Sequence, residues 1–489
     1  MRKILAWPLY ISLILVFSQC KKSFLEVVPQ GNQVAVTTSD YDLLMNDPNF
    51  YNEPYAGGWQ EPVLMGDEVS ALGAYQDNLP VPFEARLFQW QDKINYEEDP
   101  LPFFITNCLG YMYTFNKVIS EVDGATEGTD AQKTALKAEA KANRAFLNYS
   151  LINYYAKPYV AATAATDPGF PIITEAAVTG VTYNRGTVQQ MYDFIIQDLK
   201  DAVAGLPVQQ LYKTRFSRPA AEGLLGKVYL FMGRSSDALP LLNAAFADLA
   251  TAGNTTLYDY NQTFAPGGAF LPIDPTFGPA SNFNSLTDLT EDVVTRMFIN
   301  STFSGNQLGN DGLVLSNEDK ALYDPRDLRL LLYTQNDPDG NSNPNGLLRK
   351  YGSTYTRWGL QLSELYLLRA ECKARLNDLP GAIADLEVLR SHRMPANIAP
   401  VPAVAAASQA ALVHFIIDER IREFALEGYR WFDMRRLSVD PLYAGITFTH
   451  IHYNTDGTTT SYTLNQPNRL VLQLPPKYIE TNPGMENNP

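Results

Sequence analysis

The sequence predicts a mainly α-helical fold, built on tetratricopeptide-like helix pairs and carrying a loop-rich face suited to ligands. Three observations point there. Long segments repeat apolar residues at helical spacing, as in "KTALKAEAKANRAFLNYSLINYY" with Leu136, Ala140, Leu147 and Leu151. Two distant stretches, "VYLFMGRSSDALPLL" and "CKARLNDLPGAIADL", share one helix–turn–helix design. Between them, residues 253–350 are rich in Gly, Pro, Asn and Asp, a composition that breaks regular structure.

The chain opens on Arg2 and Lys3, then fourteen apolar residues, "ILAWPLYISLILVF", then "SQC". The run is short for a membrane span and has the flanks of a secretory signal. Cys20 sits where a bacterial lipobox places its acylated cysteine, although Gln19 departs from the usual small residue. We therefore expect a signal peptide over 1–19 and a lipid on Cys20. The remaining chain is read as an N-terminal half, 20–233, and a C-terminal half, 234–489, forming one compact unit. Cys108 and Cys372 alone do not make a disulfide framework.

After a short tether, "TTSDYDLLMND" reads as a helix capped by Thr or Ser, and residues 48–102 read as long loops with short elements. Asp130 to Tyr155 forms a long helix that Pro158 follows. Thr187 with Gln190 is a capping box, and Gly205 and Pro207 stop the helix it opens. Ser217 to Met232 and Ser236 to Ala250 form the first helix pair. Gly233 and Asn377 supply the left-handed residue that ends the first helix of each pair, and Ala238 and Ala382 allow close approach. The copies lie too far apart in sequence for a continuous solenoid. A helix from Gln409 to Glu427 follows a Pro/Ala connector, and "RLVLQL" near the end reads as strand-like.

Hydrophobic residues at 45% and charged residues at 19% give a globular chain, and a net charge of −15 disfavours nucleic acid. The 28 Tyr suit contacts with sugars or proteins, since Tyr is apolar in its body and polar at its tip.

Signatures of catalysis are sparse. "HIH" at His450–His452 puts two imidazoles on one strand face, but a metal needs a third ligand, so it reads as a solvated strand near "NTDG". "DPDGNSN" from Asp337 opens like a calcium loop but has Ser342 and Leu348 where Gly and Glu belong. "GLLGKV" around Lys227 lacks phosphate-loop spacing, and no nucleophile elbow or zinc-protease motif occurs. Among 53 acidic residues no glycosidase pair stands out. No cofactor or metal is expected. "ERIREFALEGYRWFDMRR" at Glu419–Arg436 reads as a salt-bridged helix junction: Glu419 faces Arg422, Glu427 faces Arg430, and Arg430, Arg435 and Arg436 reach carboxylates on neighbouring helices.

With "LSELYLLRAEC" at Leu362–Cys372, "LYDPRDLR" at Leu322–Arg329, "AEAKANRAFLNYSLINYYAKPY" at Ala138–Tyr159, "CKKSFLEVVPQG" and the tail from Leu474, this stretch resembles the RagB/SusD family of nutrient-binding outer-membrane lipoproteins. The resemblance implies a SusD-like helical fold and a surface-exposed, outer-membrane lipid anchor. It further implies non-catalytic capture of a glycan and a TonB-dependent SusC-like porin as partner. A secreted helical glycoside hydrolase and a structural lid of the porin with little ligand affinity are the alternatives.

The family motifs are scaffold, so ligand contacts are sought by physics. Sugar C–H faces lie on aromatic rings, and loops present such rings. The segment 50–90 offers Trp59 after Gly57 and Gly58, then Tyr75 and Trp90, with Tyr51 and Tyr55 beside them. Residues 253–350 are the second place to look. For the anchor, stable attachment takes more than one acyl chain. Cys20→Ala is thus expected to shift the protein from the outer-membrane to the soluble fraction on ultracentrifugation; full retention in the membrane pellet contradicts lipidation.

Overall fold

Local chemistry fixes where the helices begin. The computed structural model describes residues 35–489 apart from 54–59, 79–81, 100, 178–180, 283–284, 300–311, 338 and 352–354. Helix α1 (Thr38–Met45) starts at Thr37, whose hydroxyl accepts from the Asp40 N–H while the Asp40 carboxylate accepts from the Thr37 N–H. Short helices α2 (Gln60–Met65) and α3 (Pro82–Phe88) lead to α4 (Phe103–Glu121). Thr129 with Gln132 starts α5 (Asp130–Tyr155), and Thr187 with Gln190 starts α6 (Val188–Gly205), each by the same reciprocal cap.

The two similar stretches fold as the pairs α7 (Arg218–Phe231) with α8 (Ser235–Ala252), and α9 (Leu362–Arg375) with α10 (Leu379–Arg393). Gly233 at φ 76° and Asn377 at φ 66° make the turns. The second helices begin three residues before Ala238 and Ala382, which lie fully buried inside the pairs. Close approach is literal: a Cβ on Gly226 would come within 2.8 Å of Leu242 Cγ. Helices α4 to α10 each pack on the next, including α8 on α9. The two pairs are therefore neighbours in space, against the expectation from sequence distance, and residues 253–350 are an excursion between stacked repeats. Helices α11 (Gln409–Phe424), α12 (Tyr429–Leu437) and α13 (Pro476–Glu480) follow, and single-turn helices lie at Gly73–Gln76, Tyr260–Thr263 and Asn317–Lys320. Among the described residues no helix is long and apolar enough to cross a membrane.

Small sheets gather the loop segments. β1 (Asn52–Glu53), β4 (Met297–Ile299) and β8 (Tyr355–Arg357) form one, with β1 parallel to β4 and β8 antiparallel to it. β11 (Thr459–Thr463), β10 (Thr449–Tyr453), β2 (Val69–Leu72) and β5 (Leu313–Leu315) form another in that order. β3 (Asp292–Val294) pairs with β9 (Leu360–Gln361), just before α9. The excursion read as irregular thus carries strands too short for an alternation to show. "RLVLQL" joins no sheet; its Leu472 N–H bonds the Tyr154 carbonyl. The main apolar core runs from Ala35 to Met485, and a second cluster around Leu367, Leu386, Leu412 and Phe424 lies between α9, α10 and α11.

The charged stretch is buried. Glu419 accepts from Arg329 (2.7 Å), Arg390 (2.6 Å) and Arg422 (2.8 Å). Arg329 also holds Asp327 and Glu423, and Arg393 joins Glu423 to Glu291. On a neighbouring face of α11, Arg420 holds Asp433 and Glu364, Lys227 holds Glu364, and Arg436 joins Asp433 to Glu371, which Arg375 links to Asp440. Each set balances four carboxylates against four cations, as buried charge requires. The Glu419–Arg422 pair is as expected. Glu427 instead pairs with Lys350, and Arg430 forks onto Asp67 at 2.6 and 3.1 Å, because Gly428 at φ 87° turns the chain between them. Arg435 donates to the carbonyls of Leu470 and Ala156, not to a carboxylate.

Two pH limbs follow. Against the cost of burial, Arg436 and Arg375 hold Glu371 down to about 2, and Arg420 and Arg436 do the same for Asp433. Their stabilisation is complete above the unfolded carboxylate range and is lost as pH falls toward 2. Burial raises Glu68 to about 8 and Glu84 to about 7. Folded protein keeps these protons where the unfolded chain has lost them, so stability falls as pH rises from the unfolded value of 4.5 through 7 and 8. Melting temperature is expected to peak near pH ~5, with Glu68→Gln flattening the alkaline limb; a wild-type value constant from pH 5 to 8 contradicts this. Glu419→Ala leaves Arg390 and Arg422 without a carboxylate and takes one of three from Arg329, and is expected to cost ~3–5 kcal/mol in denaturant titration.

Candidate functional site

Helix α6 ends hard against α5: a Cβ on Gly205 would lie 2.7 Å from the Ala138 Cβ. The link that follows leaves at Pro207 and is closed by the Arg218 N–H on the Pro207 carbonyl (2.8 Å). Within it, Arg215 turns inward. Its Nε and Nη2 fork onto Glu139 (2.6 and 2.7 Å), Nη2 also reaches Asp42 (3.0 Å), and Nη1 donates to Asn46 (2.8 Å). Lys213 is pinned the other way. Its Nζ donates to the carbonyls of Leu289 (2.6 Å) and Thr290 (3.1 Å), and its own carbonyl accepts from Thr295 N–H (2.8 Å). Burial pulls the Lys213 ammonium down to about 8, partly opposed by Asp292, Asp288 and Glu291.

Between the anchors Gln210 and Lys213, Leu211 and Tyr212 stand out, 83% and 59% exposed. They form a wall of an open hollow of about 650 Å³, with Tyr51, Asn46, Asn254 and Thr290 around it. Asn254 is placed by Gly253, which ends α8 at φ 66°. Tyr51 is placed by its carbonyl, which accepts from Met297 N–H (2.8 Å) where β1 meets β4. A second hollow of about 390 Å³ lies across Arg215, lined by Ser39, Asp42, Gln132, Glu127 and Gln210. A narrow third one shares Gln210, Tyr212, Lys213, Arg215 and Asn254, so the three adjoin. The two large hollows fall within the ~300–1,000 Å³ usual for ligand sites.

Of the residues expected to contact ligand, Tyr51 lines the larger hollow. Tyr75 does not line these hollows: its hydroxyl donates to Asp339 (3.1 Å) and its ring packs beside Leu72, Val314, Leu347 and Tyr453. Trp90 offers no platform. It is 6% exposed, its indole N–H bonds the Met65 carbonyl, and its ring stacks on His450 at 3.8 Å. An indole at this depth is core, because apolar area that large is stabilised by burial. Tyr55, Trp59 and Cys20 lie outside the described residues. Tyr212, Leu211 and Asn46 were missed. The only signal for Leu211 and Tyr212 is "QQLYKTR", a polar and aromatic run in an interhelical link outside residues 50–90 and 253–350, and Asn46, at the end of α1, carries none.

The strand of His450 and His452 is buried, not solvated. His450 lies between Phe88 and Trp90, its nitrogens on the Phe88 and Gly66 carbonyls, and His452 bonds Asp77 and Asn454. Among the described residues no three His, Cys, Asp or Glu gather to hold a metal. The Asp337 turn is closed on itself by the Asn341 N–H (2.8 Å). In the second hollow, Glu139 and Asp42 both accept from Arg215. This arrangement offers a ligand shape, ring contact and hydrogen bonds.

Two family models match in chain order: one described as "Starch-binding associating with outer membrane" over residues 68–230, the other as the SusD family over 335–489. The chain belongs to the SusD family. A SusD-like protein of Bacteroides ovatus is 26% identical over 228 residues, 44% of this chain and 37% of that relative's length. Among solved structures, a SusD superfamily protein of Bacteroides thetaiotaomicron has TM-score 0.68 at 18% identity, covering 93% of this chain and 100% of that one. A Bacteroides vulgatus protein named for sugar binding has TM-score 0.67 at 19% identity, covering 94% and 99%. These neighbours share the SusD fold, and the ring-lined hollow lies where the first family model and the excursion meet.

The ring at the loop tip is expected to be a ligand contact with no structural duty. Tyr212→Ala should leave the unfolding free energy within ~0.5 kcal/mol of wild type, the usual range for exposed sites; a larger loss in denaturant titration contradicts this.

Proposed function

We propose that this SusD-family protein captures an oligosaccharide or polysaccharide at the outer-membrane surface, without cleaving it, and delivers it to a TonB-dependent SusC-like transporter. A lipid on Cys20 would hold it there. The observation that carries this reading is the open 650 Å³ hollow, with Tyr51 and the exposed Tyr212 set among the amides of Asn46 and Asn254. A tyrosine ring matches the C–H face of a sugar, and amide groups match its hydroxyls. Family membership, and the sugar-binding name of one structural neighbour, support the same ligand class. The hollow's Arg and Lys anchors hold the loop in place before ligand arrives, which reduces the ordering cost of binding.

The test is calorimetric titration with the glycan that induces the operon. By analogy with base stacking, Tyr212→Ala and Tyr51→Ala should each lose ~1–3 kcal/mol of binding, about tenfold or more in Kd. Trp59→Ala and Tyr75→Ala are titrated alongside. Full affinity in both hollow variants with loss in Trp59→Ala or Tyr75→Ala moves the ligand to the face first expected from sequence. Release of shortened glycan on prolonged incubation favours a hydrolase.

A further inference from the structure

We infer that the hollows beside Tyr212 select uncharged glycans and reject uronate or sulfated ones; this rests on the glycan-binding reading above. The lining has two cations, and both are turned away from a ligand. The Lys213 ammonium donates to the Leu289 and Thr290 carbonyls, with Asp288, Glu291 and Asp292 around it. The Arg215 guanidinium uses Nε, Nη1 and Nη2 on Glu139, Asn46 and Asp42, with its side chain only 10% exposed. Arg215 is therefore already neutralised by two carboxylates. Two carboxylates against one guanidinium leave a net negative charge on the half-exposed Asp42 side, and Glu127, open to solvent, adds a second acid at the rim.

Among the described lining residues, an incoming carboxylate or sulfate ester would lose water and meet no unpaired cation. Desolvating a charge without a partner is costly, and like charges at the rim add repulsion. A neutral hydroxyl meets the opposite situation. Asn46 and Thr290 are already engaged by Arg215 and Asp288, but the Ser39 hydroxyl, the amide NH2 groups of Gln132 and Asn254 and the amide oxygen of Gln210 offer donors and acceptors. The net charge of −15 works in the same direction at long range.

The experiment is affinity electrophoresis of the full chain, wild type and Tyr212→Ala, through gels containing one polysaccharide each. The neutral probes are starch, xyloglucan, arabinoxylan and galactomannan; the acidic probes are polygalacturonate, alginate and chondroitin sulfate. At least one neutral polymer is expected to retard the wild type and not Tyr212→Ala, and no acidic one to retard either. Retardation by the neutral polymer should change little between about 0.05 and 0.5 M salt, since no ion pair is screened. Retardation by an acidic polymer that Tyr212→Ala abolishes overturns the selectivity but leaves glycan capture at the hollow standing. Steep loss with salt overturns it likewise. Retardation indifferent to Tyr212→Ala, or none in any gel, overturns the hollow as the binding site and the selectivity with it.

Discussion

Burial of the Glu419 carboxylate among three guanidiniums is the constraint on which the rest of the molecule depends. Arg390 comes from α10, Arg422 from α11 itself, and Arg329 from the excursion between the stacked helix pairs. A fully buried charge is tolerated only if every partner stays in place, so these three segments are fixed relative to one another. The adjoining Arg393 carries the constraint to Glu291, whose carboxylate also receives the Tyr258 N–H (2.6 Å) and whose carbonyl receives the Leu362 N–H (2.9 Å). Long loops ordinarily lose order because they bury little. Here the loop is held by charge.

That constraint reaches the candidate site in two steps. Glu291 follows directly on Leu289 and Thr290, whose carbonyls receive the Lys213 ammonium. Lys213 in turn fixes one side of the loop tip, and Arg215 fixes the other against α5 and α1. Leu211 and Tyr212 are thus displayed by a scaffold whose own anchors are internal. The residues that repeat as motifs are those that build this support. The rings that would touch ligand hang from it with no structural duty, which explains why family motifs do not name the ligand.

The buried acids outside the lattice have a different consequence. Glu68 and Glu84 carry no forked guanidinium, and each has a buried oxygen without a hydrogen-bond partner. Burial raises them to about 8 and about 7, while Glu371 and Asp433 of the lattice are held down to about 2 by their guanidiniums. Composition treats all 53 acidic residues alike, and only the packing separates them into these two kinds.

By itself the sequence determined whatever depends on neighbours within a few residues. The reciprocal cap at Thr187, the limits of α5, and the left-handed turns at Gly233 and Asn377 were legible, because a cap or a turn closes its hydrogen bonds locally. Family membership was legible too, as an ordered set of motifs along the chain. Tertiary structure alone decided contacts between distant residues. It stacked α8 on α9, gave Glu427 to Lys350 and Arg430 to Asp67, sank Trp90 onto His450, and left Tyr212 exposed. The physical reason is that exposure of a ring, and the partner of a long charged side chain, depend on what packs against it from elsewhere in the chain. A tyrosine in a link and a tryptophan in a loop look alike in sequence, and only the surrounding core determines which one meets solvent.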